Sequence, residues 1–299
     1  MIEQQGRIGM VKQRTKIDKK QPDSTYYDKK RSTDQADQSP TNSLARMLGL
    51  LDLFTSAAPS WSSDALIQAL GTSRSTGYRY IKALADVGML TPVANGHYIL
   101  GPRIIELDLQ IRNCDPLYNS AGTALGTLVD STGLSGVVCS LFSGSVLCVR
   151  EHLAPDSPPR LFSRGQRRPL FRGAASKAIL AHLGAHQLRN IYNKHSGIIA
   201  TSGLGTDWST FRENLTKIRS AGVSVSIGEF NPGVIGVAAP IFNHSGQILG
   251  SIGVASDDSK FDHKNLNDVK EAVREAAKKV TDRVAVIGTG LDRAARSVG

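Results

Sequence analysis

The segment from Ser43 to Gly101 combines three short helical patterns with one hairpin signal, and this order of elements constrains the fold most strongly. The hairpin signal is the pair Asn95-Gly96, which separates two short apolar runs. Asn and Gly both tolerate positive φ, so the pair favours the tight turn that joins two antiparallel strands. Three helices followed by such a hairpin predict a winged helix-turn-helix, which is a DNA-binding arrangement.

Apolar spacing and capping residues predict each helix of this segment. A stripe with spacings of three and four residues predicts the first helix. The stripe consists of Leu44, Met47, Leu48, Leu51 and Phe54. A serine cap and an acidic first turn within Trp61–Asp64 predict the start of a second helix. A third helix is expected from about Arg74 to Val87, because Gly88 follows as a stop signal.

The third helix has one side suited to packing and another suited to contact with DNA. Gly77, Ile81, Leu84 and Gly88 lie along the packing side. In a major groove, short hydroxyls allow close approach, while guanidinium groups pair with guanine or hold phosphate. The predicted DNA contacts of this helix and the wing are Ser73, Arg74, Ser75, Thr76, Tyr78, Arg79, Lys82, Asn95 and His97.

The charge of the chain agrees with a nucleic-acid partner. The formal net charge is +10 and the pI is near 9.6, and Lys and Arg that neutralise phosphates release condensed counterions. Cys114, Cys139 and Cys148 form no C-x-x-C pair, which indicates reduced thiols rather than a disulfide framework. No segment has the pattern of a signal peptide or a bilayer-spanning run, so a cytoplasmic protein without a membrane partner is expected.

Composition divides the chain into five parts. Residues 1–42 are rich in Gln, Lys, Asp, Ser and Thr and poor in aliphatic residues, so a disordered basic tail is expected. The winged helix-turn-helix is expected over residues 43–101, and a series of apolar residues predicts a linker helix over residues 102–114. Residues 115–290 alternate helical and strand-like segments, which indicates a mixed α/β domain of the α+β type. A C-terminal tail is expected over residues 291–299.

Small residues in the C-terminal domain mark a candidate ligand cavity, because a cleft needs both space and a few orienting polar groups. Predicted strands at 234–242 and 248–255 carry several of these small residues. A loop that begins at Gly173 leads into a predicted helix, whose free N–H groups would suit an anion such as a ligand carboxylate. The residues of this candidate site are Arg172, Gly173, Ala174, Ser176, Gly236, Gly253 and Ala255.

Four sequence blocks occur in a recognisable order. They are Ser75–Gly88, Gly96–Gly101, Arg168–Ala181, and the stretch from Arg219 through Gly228-Glu229 to Pro240. These blocks resemble the recognition helix, the wing and the C-terminal motifs of the IclR family of transcriptional regulators. The resemblance extends over nearly all of the chain from Ser43 to about Val286.

The resemblance implies a GAF-like effector domain, homodimers or tetramers, and repression or activation controlled by small, often carboxylated metabolites. It adds Glu229 to the effector-binding residues, where this side chain orients a ligand hydroxyl or stays solvated. The chain departs from the family at Ser176, where most members have Gly before Lys. It departs again at Gly253 and Ala255, where some members carry hydroxyls. The effector therefore stays open: it could be a larger or more apolar ligand, or sensing could be lost.

Other classes of function compete with transcriptional regulation. A GAF-like enzyme or redox sensor would use Cys148, which lies near Glu151 and His152, but a buried strand cysteine is more often an inert small hydrophobe. An interaction protein would use the helical module to bind another protein. His182 and His186 stand four apart on a predicted helix, but no Cys, Asp or Glu completes a metal site, so neither a metal nor another cofactor is expected.

Overall fold

The computed structural model describes residues 43–155 and 162–297, so the tail predicted over residues 1–42 lies outside the described residues. The α-helices are α1 Ser43–Gly49, α2 Ser63–Leu70, α3 Arg74–Asp86, α4 Arg103–Cys114, α5 Pro116–Thr132, α6 Ala174–Leu180, α7 Ala185–Ala200, α8 Trp208–Ala221 and α9 Leu266–Ser297. The strands are β1 Trp61–Ser62, β2 Leu90–Val93, β3 His97–Leu100, β4 Ser135–Phe142, β5 Ser145–His152, β6 Arg167–Pro169, β7 Ser224–Ile227, β8 Val234–Phe242 and β9 Ile248–Asp257.

The first helix does not bury all of the residues that the sequence predicts. Leu50 is completely buried, whereas Leu44 and Leu48 are 61% and 52% exposed. The reason is a change of helix type, because α1 passes into a 3-10 turn at Leu50–Leu53. The tighter turn places Leu50 and Phe54 in the core of the module.

The next two helices begin and end close to their predicted positions. The Ser62 side chain caps α2 by accepting a hydrogen bond from the Ala65 amide, and Ser73 caps α3 in the same way from the Thr76 amide. These caps satisfy N–H groups that have no partner within a helix. Between the two helices, Gly71 takes φ +61° and makes the turn.

The wing is part of a three-stranded antiparallel sheet in the order β1-β3-β2. Asn95 and Gly96 have φ of 60° and 67°, as the predicted tight turn requires. The strand β1 was not predicted. It pairs with β3 through Trp61 and Tyr98. A strand of two residues is too short for its alternation to be recognised in a sequence.

The linker helix α4 connects the winged module to the rest of the chain and has no buried residue. Most of its apolar side chains are exposed to solvent within this chain. The large exposed ones are Ile105, Leu107, Leu109 and Ile111.

The C-terminal domain is built on a six-stranded antiparallel sheet in the order β6-β5-β4-β9-β8-β7. One face packs against α5 and α9 around Leu125, Ile252 and Val280. The other face packs against α6, α7 and α8 around Ile179 and Phe211. Helices therefore cover both faces of the sheet, so this is the mixed α/β domain that the sequence predicts.

The hairpins of this domain follow their sequence signals. Ser143 and Gly144 both have positive φ in the turn between β4 and β5, and Gly246 does so in the turn after β8. The helix α9 continues to Ser297, past the boundary expected at Gly290.

We expect Gly77→Ala to lower the free energy of unfolding of the winged module by about 1 to 3 kcal/mol, because it overpacks the contact between α2 and α3. A Cβ at Gly77 would lie 2.5 Å from Cγ1 of Ile67 and 3.1 Å from its Cβ. Urea unfolding followed by circular dichroism measures the change. Gly49→Ala is the control, since no heavy atom lies within 4 Å of its Cβ position. Equal stability of the two variants would contradict the close contact.

Candidate functional site

The helix α3 presents two different sides, as the sequence predicts. Gly77, Tyr80, Ile81 and Leu84 are buried. The predicted DNA contacts lie on the other side, where the side chains are exposed except for the half-buried Thr76. These exposed side chains are Ser73, Arg74, Ser75, Tyr78, Arg79 and Lys82.

Two of the exposed cations already have acidic partners on the surface. The Arg74 guanidinium lies 3.1 Å from a carboxylate oxygen of Asp64, and the Lys82 ammonium lies 3.5 Å from one of Asp86. Exposed pairs of this kind contribute little to stability, about 0 to 1 kcal/mol. Both cations can therefore turn to a phosphate at low cost.

The wing holds the last two predicted DNA contacts. Asn95 is exposed at the tip of the turn, and His97 is half-buried at the start of β3. The His97 ring nitrogen Nδ1 lies 3.0 Å from the Asn95 carbonyl oxygen. This contact fixes the ring beside the turn.

A cavity of about 50 Å³ lies between α6 and the small residues of β8 and β9. All eight predicted effector-binding residues line it, although they come from three separate stretches of the chain. These residues are Arg172, Gly173, Ala174, Ser176, Glu229, Gly236, Gly253 and Ala255. We call this space the α6 cavity.

Protein side chains occupy two of the N–H groups at the start of α6 that the sequence assigned to a ligand carboxylate. The Gly173 amide donates to Glu229 Oε2 at 3.0 Å, and the Ala174 amide donates to Ser226 Oγ at 3.1 Å. These two amides are therefore not free to bind an anion, contrary to the prediction. The sequence signal is local, while both acceptors lie more than 50 residues away along the chain.

Lys177 explains why Glu229 turns inward instead of staying solvated. The Lys177 ammonium forms an ion pair with Glu229 and donates to the Val225 carbonyl oxygen at 3.0 Å. Because Lys177 is almost fully buried, its charge needs these partners. The pair ties α6 to the loop that follows β7.

Gly253 also differs from its predicted role as open space. A Cβ there would lie 2.3 Å from the Val237 carbonyl oxygen and 2.7 Å from the Ala238 Cβ. This glycine is therefore needed where β9 and β8 approach each other. At Gly236 the nearest atom is Ser226 Oγ at 3.3 Å, and Ala174 Cβ follows at 3.6 Å, so more room remains there.

Arg168 also lines the α6 cavity, although the sequence did not predict it as a site residue. Arg168 lies between two aromatic rings, with its Cζ 4.0 Å from the ring centre of Phe162 and 4.2 Å from that of Phe230. Burial lowers the pKa of the Arg168 guanidinium to about 10, so it stays charged at neutral pH. No local pattern could reveal this stack, because its rings are far apart in sequence.

The competing sites have local structural roles. Cys148 is completely buried, and its thiol lies 3.4 Å from the Arg150 carbonyl oxygen, so it is not poised to attack a substrate. Burial also raises the pKa of the neighbouring Cys139 thiol. The His182 ring contacts the Ala178 carbonyl oxygen at 2.9 Å. Among the described residues, no cluster of three His, Cys, Asp or Glu could hold a metal.

Two family models match this chain. The model described as "IclR helix-turn-helix domain" matches residues 43–94, and "Bacterial transcriptional regulator IclR C-terminal" matches residues 113–282. The chain belongs to the IclR family. It is thus a transcriptional regulator with a DNA-binding helix-turn-helix and the family's effector-binding domain.

Relatives and solved structures agree with membership of the IclR family. The HTH-type transcriptional regulator KipR of Bacillus subtilis (strain 168) is 24% identical and aligns over 83% of this chain and 98% of its own length. The regulator BhcR of Paracoccus denitrificans (strain Pd 1222) is 25% identical over 82% of this chain and 88% of its own. These relatives are named as transcriptional regulators and not as enzymes.

An IclR homologue from Microbacterium hydrocarbonoxydans, solved in complex with 4-hydroxybenzoate, shares the fold with a TM-score of 0.67. It is 20% identical, and the match covers 82% of this chain and 100% of that chain. Within residues 43–155 and 162–297 of this IclR regulator, no helix is long and apolar enough to span a bilayer.

We expect Lys177→Met to lower the free energy of unfolding by about 2 to 4 kcal/mol, because it leaves the inward-facing Glu229 carboxylate without its cation. The matched control is Lys217→Met, which removes an exposed pair with Glu213 and should cost less than about 0.5 kcal/mol. Urea unfolding of both full-length variants tests the difference. If the two variants lose the same stability, the inner pair does not hold α6 in place.

Proposed function

We propose that α3 enters the major groove of a double-stranded DNA operator while the wing contacts the neighbouring DNA backbone. The observation that carries this proposal is the exposed side of α3, which combines hydroxyls with Arg74, Arg79 and Lys82. Arg79 is the leading candidate for a base contact, because Arg74 and Lys82 already lie beside carboxylates and suit phosphates better. Tyr78, 47% exposed, adds apolar contact. In the wing, Asn95 and His97 make the contacts to the DNA backbone.

The regulator acts as a homodimer, or as a tetramer built from dimers. Four large apolar side chains of α4 stand in solvent, and exposed apolar surface of this kind indicates a protein partner. A second copy of the chain is the natural partner, since one short helix reads only a few base pairs and two-fold symmetry doubles the contacts. The operator is then a near-palindrome. In this arrangement, residues 43–101 would read DNA and residues 115–290 would bind the effector. Residues 102–114 would link these two domains.

The α6 cavity receives a small effector that carries a carboxylate on an apolar or aromatic body. Arg168 and Arg172 supply positive charge, and the rings of Phe162 and Phe230 supply apolar surface. The IclR homologue from Microbacterium hydrocarbonoxydans was solved in complex with 4-hydroxybenzoate, which has this chemistry. Since the cavity measures about 50 Å³ and typical ligand sites measure about 300 to 1,000 Å³, it enlarges on binding. That change of shape can alter the dimer and its affinity for DNA.

The protein works in the cytoplasm as a regulator and not as an enzyme. The burial of Cys139 and Cys148 and the names of the relatives as transcriptional regulators support this assignment. The effector changes operator affinity without being converted.

We expect Arg79→Ala to weaken operator binding by about 1 to 3 kcal/mol, the usual scale for a lost base or phosphate contact. Folding should survive because the side chain is exposed. Fluorescence anisotropy at several salt concentrations measures the affinity, with Arg212→Ala on the exposed side of α8 as the control. Binding equal to the parent at every salt concentration would show that α3 does not enter DNA.

We expect Arg168→Met to reduce affinity for a carboxylate effector at least about tenfold while leaving the affinity for its amide unchanged. Met preserves apolar contact with both rings and removes only the charge. Calorimetry on the full chain with 4-hydroxybenzoate and 4-hydroxybenzamide, then with other carboxylates, measures this selectivity. If the parent binds a carboxylate and Arg168→Met binds it equally well, Arg168 does not recognise the effector.

A further inference from the structure

A second cavity lies where the linker helix meets the effector domain. It measures about 420 Å³ and is lined by Arg112, Tyr118, Arg150, Glu151, Arg164 and Gly165. We call it the junction cavity. It shares no lining residue with the α6 cavity, and its size falls within the usual range for ligand sites, about 300 to 1,000 Å³.

Two arginines lie over the aromatic ring of Tyr118 at this cavity. The Arg150 Cζ lies 4.5 Å from the ring centre of Tyr118, and the Arg164 Cζ lies 5.4 Å from it. Carbonyl oxygens fix both side chains, since Arg150 donates to Tyr118 O at 3.0 Å and Arg164 donates to Val149 O at 2.7 Å. The guanidinium groups are therefore held in place before any ligand binds.

The two acidic residues of the cluster around the junction cavity, Asp108 and Glu151, do not balance its three arginines, Arg112, Arg150 and Arg164. Asp108 accepts from Arg112 at 2.7 Å and also pairs with Arg164. Burial opposes the effect, yet these two arginines hold the pKa of the Asp108 carboxyl below its usual range. Within the described part of the chain Arg150 has no carboxylate partner, and even with Glu151 counted the cluster keeps one net positive charge.

The cluster joins two parts of the molecule. Asp108 and Arg112 belong to the linker helix α4, which leads to the DNA-binding module. Arg150 lies on β5, and Arg164 lies in the loop before β6. A ligand bound here would touch both the linker and the effector domain.

We propose that the junction cavity binds a small metabolite through a phosphate or carboxylate group, which accepts hydrogen bonds from Arg150 and Arg112 and thereby bridges the effector domain and α4. Guanidinium groups match both kinds of anion through paired N–H donors. Asp108 competes with the ligand for Arg112 and Arg164. This site is additional to the effector site in the α6 cavity and does not depend on it.

The test uses inorganic phosphate and succinate as separate probes, each compared with chloride at equal ionic strength. At about four times its dissociation constant, a probe that binds should raise the melting temperature of the full chain by about 2 to 4 °C. Arg112→Gln and Arg150→Gln should each remove most of this shift. Asp108→Asn should enlarge it, because the competing carboxylate is gone. The probe that gives the larger shift identifies the preferred anion.

Two control variants separate this site from other effects. Arg189→Gln removes an arginine that stacks on Trp208, away from both cavities, and should keep the full shift. With phosphate as the probe, Arg168→Met should also keep it, since Arg168 belongs to the α6 cavity. General stabilisation by excluded salts would act on all variants alike. The proposal is overturned if Arg112→Gln and Arg150→Gln keep the parent's shift, or if Arg189→Gln loses it equally.

Discussion

The six-stranded antiparallel sheet must be covered on both faces, and the rest of the C-terminal domain depends on this constraint. Two long helices, α5 and α9, fill one face with branched aliphatic side chains. On the other face α6 has only seven residues and is rich in alanine. A short helix of small side chains over the glycines and alanines of β8 and β9 leaves the space that forms the α6 cavity. The Lys177–Glu229 pair then fixes one wall of that cavity.

Elements coded by neighbouring residues could be predicted from the sequence. The serine caps, the periodicity of α3 and the turn at Asn95-Gly96 predicted the winged module, and the small residues of the sheet predicted residues that line one cavity. The predictions were wrong or incomplete where residues far apart in the sequence determine the local structure. Glu229 and Ser226 occupy the start of α6, and Arg168 lies between Phe162 and Phe230; neither arrangement leaves a periodic signal. Leu50 is buried in place of Leu48 because the helix passes into a 3-10 turn. The spacing of apolar residues alone does not reveal such a turn.

The linker helix α4 gives the molecule a physical connection between sensing and DNA binding. Its apolar side chains suit a second copy of the chain, while Asp108, which also pairs with Arg112 of the same helix, forms an ion pair with Arg164 of the effector domain. In the proposed dimer, a ligand that changes this attachment would bias the arrangement of two winged modules, and an operator with half-sites at a fixed spacing would respond to that arrangement. Local ion pairs at one helix would then affect the binding of the proposed dimer to DNA.

The central claim is that two copies of α3 read one operator. Sequencing genomic DNA fragments captured by the purified full-length protein tests it most directly. The account predicts one enriched motif made of two inverted half-sites, whose centres are separated by about 34 to 36 Å along the DNA or a multiple of this. Fragments with no common motif, or with a single asymmetric half-site, would contradict it.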